Sequence, residues 1–412
     1  KGVSISKKAT GIVSVLLLLM ATNSNAQIPI TLQQAIDTAL TNNRSVKNER
    51  LKTEYRQKLI QSGTSIPATQ VFGEYGQINS FYKDTRLGIS QTINFPTVYK
   101  RQKELLNEEW KSSVLNVGVQ EAQLKKQVAQ VFYTLVYLQQ KKALLQKNDT
   151  LFAEFLDKAT LRFNKGESNV LEKTTAENQR GQIKLQLSQL EKDEEVLQLQ
   201  FRLLLNTETV FVPSENAILE NNISGIDTAA LAAHPAMQFL KQQQQIAQAT
   251  TKMERSKLSP DITLGYNIAG MKGMGADDKI YNSTPRFQAL QIGLGIPIFT
   301  GSQKAKINAA KINEEIASKD YDLNLKNFEI AFASALKQYQ KYQETVAYFE
   351  NTALKNAETI TTTANKQFLN GDINYLEWAL LIGQSVSIKS DYIEAVKSRN
   401  NAIADLNFYL NK

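Results

Sequence analysis

The sequence predicts a mainly α protein with a small β part, built from internally duplicated long coiled-coil helices and two β-hairpins. Three observations predict it. All eight prolines lie outside two stretches, 97–212 and 298–412, so each stretch runs for more than a hundred residues without the strongest helix breaker. Inside those stretches the apolar residues keep a seven-residue repeat. Between them the period falls to two, the signature of half-buried strands.

The chain opens with Lys7 and Lys8, the apolar run Ile12–Ala21 and the small residues of Ser24–Ala26, which read as an export signal over 1–26 with cleavage before Gln27. The run is about ten residues against the roughly 20 that a spanning helix needs, so a permanent helical anchor is not expected. Of the 412 residues none is Cys and one is His, which removes disulfides and thiolate sites and leaves a catalytic triad or multi-histidine metal centre nothing to be built from except His234. That histidine precedes Pro235, a poor place for a pre-positioned base. The net charge of +8 includes Lys1, Lys7 and Lys8, so from Gln27 onward it is +5 with no basic block, which does not argue for nucleic acid.

The first long helix is expected from 97 to about 164, roughly 100 Å at 1.5 Å per residue. Leu124, Val128, Val131, Leu135 and Leu138 mark its seam, and Ile183, Leu187, Leu190, Glu194, Leu197, Phe201 and Leu204 mark that of a following helix. In the second stretch the seam runs through Phe328, Phe332, Ala335, Tyr339, Tyr342, Val346, Phe349, Ala353, Asn356 and Ile360, and later through Tyr392, Val396, Arg399, Ile403, Leu406 and Leu410. Glu194, Asn356 and Arg399 are polar layers in it. Trp110 and Trp378 fall in helical stretches, where packing is their expected role, and Gln242–Gln245 reads as a polar helix face.

Alternation over Leu87, Ile89, Gln91, Ile93 and Phe95, over Ile262, Leu264, Tyr266 and Ile268, and over Leu290, Ile292, Leu294 and Ile296 predicts three strands. A more ambiguous strand at Val71–Ile78 completes two hairpins, with turns near Asn79–Thr85 and Gly270–Pro285. Four such strands have nothing in the chain to cover their apolar faces. They are also too few to close a barrel, for which about eight is a practical minimum, so several copies must contribute.

The two halves are related at a constant offset of 205 positions: Phe163, Gly166, Asn169, Leu171, Glu172 and Gln179 recur as Phe368, Gly371, Asn374, Leu376, Glu377 and Gln384. SQTINFP falls on GIPIFTG at the same offset. One domain over 27–412 is therefore expected, with repeats over about 31–212 and 228–412. Gly166 and Gly371 are expected to be left-handed caps that turn each long helix back on a partner.

With TLQQAIDTALTNN near the mature start, the strand-to-helix boundaries SQTINFP and GIPIFTG, and the paired turns RFNKGESNVLE and QFLNGDINYLE, the chain resembles the TolC family of outer-membrane efflux ducts from about Thr31 to Lys412. The resemblance implies a homotrimer in which each chain gives four strands to a 12-stranded transmembrane β-barrel set in outer-membrane lipid. It also implies that the helices form an α-helical tunnel across the periplasm, a passive conduit without a cofactor. The turns at Gly166 and Gly371 become the periplasmic tips that meet an adaptor (membrane fusion) protein, itself coupled to an inner-membrane resistance-nodulation-division pump. Glu172 and Glu377 become candidate gate residues, where a trimer would carry six carboxylates. Two positions depart from the family pattern: Leu380 stands where a second acidic residue is usual, and Ile373 lacks the basic partner of some relatives. KGVSISKK looks like the tail after the last membrane helix of heavy-metal pumps of that class, which implies cargo such as copper, silver, cobalt, zinc or cadmium. The alternatives are a TolC-type duct for drugs or other small molecules and an exported coiled-coil tether. An enzyme is not expected, since no nucleophile, base and orienting group can be assembled from these residues.

Overall fold

A computed structural model of the protein describes residues 28–214 and 231–412, so the export signal expected over 1–26 lies outside the described residues. In chain order, β1 (Ile28–Ile30), α1 (Leu32–Asn42), α2 (Arg44–Leu59) and a 3-10 turn (Ile60–Thr64) lead into β2 (Gln70–Gly76) and β3 (Asp84–Asn94). The helices α3 (Pro96–Asn164) and α4 (Val170–Leu205) follow, then β4 (Phe211–Pro213) and α5 (Pro235–Ser256). Next come β5 (Asp261–Ala269), β6 (Lys272–Met274), β7 (Ile280–Asn282) and β8 (Phe287–Gly295). The helix α6 (Gly301–Tyr348), a π-helical segment (Phe349–Ala353), α7 (Leu354–Asn370) and α8 (Tyr375–Leu410) complete the chain. Contacts divide it into two units, one of residues up to Arg44, Glu121–Ile226 and Ala331–Lys412, the other of Ser45–Gln120 and Asp227–Ile330.

The second unit holds the sheet. β2, β3, β5 and β8 are antiparallel neighbours in that order, so the two hairpins join through β3 and β5. β2 starts at Gln70 and stops at Gly76, short of the expected Ile78, and Phe95 and Ile296 lie just beyond their strands. The longer second loop holds the short ribbon β6–β7. Four helices of this unit bond in a row. Arg56 of α2 pairs with Glu109 of α3 at 2.8 Å, the Gln242 amide of α5 donates to the Glu108 carboxylate of α3 at 2.6 Å, and the Gln303 amide of α6 donates to the Glu254 carboxylate of α5 at 2.7 Å. Burial alone would raise the Glu108 carboxyl, but hydrogen bonds from Lys111 and Gln242 and the charges of Lys111 and Lys252 outweigh it and hold it below its ordinary value. Gln243 donates to Ser112, so the first two glutamines of the run turn onto α3, while Gln245 is exposed. His234 caps α5, its Nδ1 accepting from the Ala236 amide at 3.2 Å, with its buried ring against Phe328.

The first unit is two helical hairpins. On α4 the expected seam is buried at Ile183 and Phe201 and partly buried between them, but at its end Leu205 is buried in place of Leu204, and Ala176 is buried ahead of it; the polar layer at Glu194 is matched by Lys142 of α3 at 3.2 Å. On α3 the buried stripe is wider than the expected seam: Phe132, Tyr133 and Val136 are buried while Val131 is only partly so. Several neighbours therefore pack on this helix, which an a/d seam alone would not accommodate. One seam expectation fails. Asn356 is exposed and Ala357 is fully buried in its place, because the π-helical segment at Phe349–Ala353 acts as a one-residue insertion and rotates everything after it. Ala357, Thr361 and Ala364 then carry the repeat onward, and the Thr361 hydroxyl bonds that of Ser385 on α8 at 2.6 Å. Arg399 occupies its expected seam position and is buried. The sequence also missed a small parallel sheet in which β1 pairs with β4.

The core of this unit centres on Trp378, which is fully buried in α8 and stacks on Phe155 of α3 with ring centroids 3.5 Å apart. Phe152, Phe368 and Tyr375 surround the indole, and its N–H donates to the Asn365 side chain of α7 at 2.8 Å. Three helices thus share one aromatic side chain. Trp378→Ala is expected to cost about 3 to 5 kcal/mol of stability, the usual cost of emptying a buried aromatic site. A thermal unfolding midpoint equal to that of the unsubstituted protein would contradict this.

Candidate functional site

Strand register sorts the sheet into two faces. Leu87, Ile89 and Ile93 of β3 stand opposite Ile268, Tyr266 and Ile262 of β5. Tyr266, Leu264 and Ile262 in turn face Leu290, Ile292 and Leu294 of β8, and Val71 of β2 faces Ile89. One apolar face therefore crosses all four strands, as the alternation requires. It lies open: Leu290, Ile292 and Leu294 are 85%, 78% and 65% exposed. The polar intruder Gln91 is satisfied locally, its amide donating to the Pro67 carbonyl at 2.8 Å and its carbonyl accepting from Thr69 at 2.6 Å.

The opposite face is polar. It carries Ser90, Asn94, Asn267 and Gln291, a hydroxyl pair Thr92–Thr263 at 2.9 Å, and the cross-strand ion pair Glu74–Arg86 at 2.8 Å. Phe72 on this face lies across Gly88, where an added Cβ would sit 2.3 Å from the ring, and Phe287 stands on the same face at the start of β8. Exposed aromatics stand near both ends of the strands, Tyr75, Phe81, Tyr82 and Phe287 at the loop end and Phe95 and Phe299 at the helix end. An apolar band between two aromatic girdles is the pattern of strands that face lipid. Among the described residues β2 pairs only with β3 and β8 only with β5, leaving two sheet edges.

At the loop end a single side chain fixes both hairpins. Asp84 is fully buried and accepts hydrogen bonds from the Asn79 amide at 2.8 Å, the Ser80 hydroxyl at 2.9 Å and the Lys272 amide of the second loop at 2.9 Å. Sequence reasoning missed it, since an Asp beside a loop reads as an ordinary turn residue.

The two glycine turns share one local design. Gly166 and Gly371 have φ of 73° and 81°, the left-handed conformation expected of them. The amides of Gly166 and Glu167 donate to the carbonyls of Phe163 and Arg162, and those of Gly371 and Asp372 to Phe368 and Gln367, so each helix ends in a Schellman motif. Three residues on, Asn169 and Asn374 cap the next helix by accepting from the amides of Glu172 and Glu377 at 3.2 and 3.0 Å. The two glutamates then diverge. The Glu377 carboxylate returns to the Asn374 amide at 3.0 Å and closes a capping box, whereas that of Glu172 turns to the Ser168 hydroxyl at 2.6 Å and to Arg162 at 3.5 Å. Glu377 is exposed and Glu172 partly buried. Burial and the charge of Glu172 push the Tyr375 phenol up to about 12.

Among the described residues no group of three or more His, Asp or Glu side chains is placed to hold a metal ion, and no helix is long and apolar enough to cross a membrane. The latter says nothing of a β-barrel.

Comparison with known proteins agrees with this geometry. Residues 228–412 match the family described as outer membrane efflux protein. No curated protein matches the chain in sequence. In structure it is similar to a membrane protein from Pseudomonas aeruginosa, with 15% identity, a TM-score of 0.78, and 92% of this chain and 93% of that one covered. It is similar to the CmeC outer membrane channel of Campylobacter jejuni, at 14% identity and TM-score 0.77 over 92% and 85% of the two chains. The open state of the Neisseria gonorrhoeae MtrE outer membrane channel is similar at 18% identity and TM-score 0.73, over 92% and 88%. The fold is that of outer-membrane channels of the TolC type.

Two predictions follow from these features. Ile292→Arg with Leu294→Arg places charge on the apolar face at about 2 to 4 kcal/mol each near a bilayer midplane, so oligomer in the outer-membrane fraction should fall sharply. Normal assembly of the double variant would mean that lipid does not cover this face. Gly166→Pro or Gly371→Pro demands a φ near −65° where the turn needs a positive one, so the Schellman turn should be lost and the thermal unfolding midpoint fall by several degrees. An unchanged midpoint for both variants would mean that the positive φ is not required there.

Proposed function

We propose that the protein is the outer-membrane channel of a tripartite efflux system, a passive duct that conducts cargo received from a periplasmic adaptor and an inner-membrane resistance-nodulation-division pump. The observation that carries this reading is the continuous apolar face of an open four-stranded sheet with two unpaired edges, set on long paired helices. Three copies supply 12 strands, past the roughly eight that a closed barrel needs, and closure pairs every edge. A water-soluble coiled-coil tether has no use for such a sheet. The finer reading, heavy-metal cations as cargo, is supported by the N-terminal resemblance. A conduit need not ligate what passes through it.

The tips at Gly166 and Gly371 meet the adaptor, and Glu172 with Glu377 form a ring of acidic groups at the narrow end. Like charges around a confined pore attract cations and oppose tight closure, with a strength that salt screens. Reconstitution in planar bilayers tests both levels. The purified particle should be a hollow trimer that conducts ions, and a non-conducting monomer would overturn the duct. Glu172→Gln with Glu377→Gln keeps both side-chain shapes and leaves residue 377 able to serve its capping box, and it should lower cation preference at low salt with a smaller change at high salt. Unchanged selectivity at low salt would dismiss the acidic ring while leaving the duct.

A further inference from the structure

Beside the Trp378 cluster, with which it shares Phe152, the first unit holds a cleft of about 430 Å³ between α3, α4 and α8. That size lies within the roughly 300 to 1,000 Å³ of sites that take small molecules. α3 forms its floor with Leu145, Asn148 and Phe152, each less than a tenth exposed, while α4 and α8 form its walls. The Asn148 side chain is 6% exposed, and its Nδ2 has no hydrogen-bond partner. An amide donor buried without a partner costs stability, so the position calls for an acceptor that enters the cleft.

Neither wall is built to be closed by another helix. On α4 the cleft is lined by Gln179, Gln182, Gln186 and Gln189, which keep the alternating spacing of a helix seam but carry amides where a seam is apolar. Each amide offers both a donor and an acceptor. On α8 the wall includes Gly383, inside the helix and exposed. Glycine destabilises a helix interior, and nothing demands it here: its φ is not positive, and an added Cβ would meet no atom within 4 Å. Its missing side chain leaves room in the cleft. The charged lining residues are Lys141 and Asp193, one of each sign, and the Lys141 ammonium already donates to the Ser390 hydroxyl.

We infer that this cleft is a binding site for an uncharged saccharide of one or two rings. Hydroxyls donate and accept as the glutamine amides do, and one of them supplies the acceptor that Asn148 lacks. The apolar C–H faces of a sugar ring suit a floor that also holds Leu144 and Leu145. A lining whose charges cancel selects against charged ligands, which would enter with no net compensating charge. None of Gly166, Glu172, Gly371 and Glu377 lines the cleft, so the duct reading and this site fail separately.

The test uses the full chain purified in an amine-oxide detergent, whose headgroup is not a sugar. Saturation-transfer NMR is recorded with maltose and with di-N-acetylchitobiose, and glucosamine and glucuronate serve as charged controls. At least one uncharged sugar should receive transfer at millimolar concentration and raise the thermal unfolding midpoint, because a ligand that binds only the folded chain stabilises it. Gly383→Leu fills the open wall and favours the helix, so it should weaken binding by an order of magnitude without lowering the midpoint of the ligand-free protein. Asn148→Leu replaces the unpaired amide by an apolar group of similar shape, so it should weaken binding several-fold while the ligand-free midpoint holds or rises. Absence of transfer to either uncharged sugar, or transfer that survives unchanged in Gly383→Leu, would overturn the site. Equal transfer to the charged controls would overturn the ligand class. A fall in the ligand-free midpoint of Asn148→Leu would show that the amide serves helix packing and overturn its part in binding.

Discussion

A strand that leaves water must still pair its backbone amides and carbonyls, and the rest of this structure depends on how four strands meet that requirement. Among the described residues β3 and β5 are flanked on both sides, while β2 and β8 each keep one unpaired edge. One face, spanning all four strands, is apolar and open, and the face opposite is polar. A sheet with one apolar face, one polar face and two unpaired edges is, on the proposed reading, a segment of a barrel wall.

The helices inherit that order. Each outer strand connects to an outer helix and each inner strand to an inner one, so the row α2-α3-α5-α6 is laid out by the sheet. The inner contacts reuse one device, a glutamine amide that donates to both the backbone carbonyl and the carboxylate of a glutamate on the adjacent helix, at Gln242–Glu108 and again at Gln303–Glu254. One side chain satisfies two acceptors, which fixes relative height as well as proximity. Such pairs act as registration marks between long helices that would otherwise slide.

In the other unit the same problem of register is solved along the seams. The polar layer at Glu194 is useful because Lys142 meets it, and the π-helical segment resets the phase so that small residues, Ala357 and Ala364, pack toward α8 before the Trp378 cluster. The Schellman turns that follow are compact and exposed, and an added Cβ at Gly166 or Gly371 would meet nothing. Backbone conformation, not crowding, requires glycine there.

What the sequence determined by itself is whatever depends on neighbours a few positions apart. Seven-residue and two-residue periods follow from helix and strand geometry, and a glycine followed three residues later by asparagine specifies cap, turn and cap from local backbone chemistry alone. What only the tertiary structure decided depends on residues far apart in the chain. The junction of β3 with β5, the reach of Asp84 to Lys272, the stacking of Phe155 on Trp378 and the parallel pair β1–β4 each join segments separated by well over a hundred residues. No periodicity encodes them. Even the exposure of Asn356 belongs here, because a one-residue slip in the helical hydrogen bonds is set by the packing on either side of it, and a regular repeat read from the sequence assumes an unbroken phase.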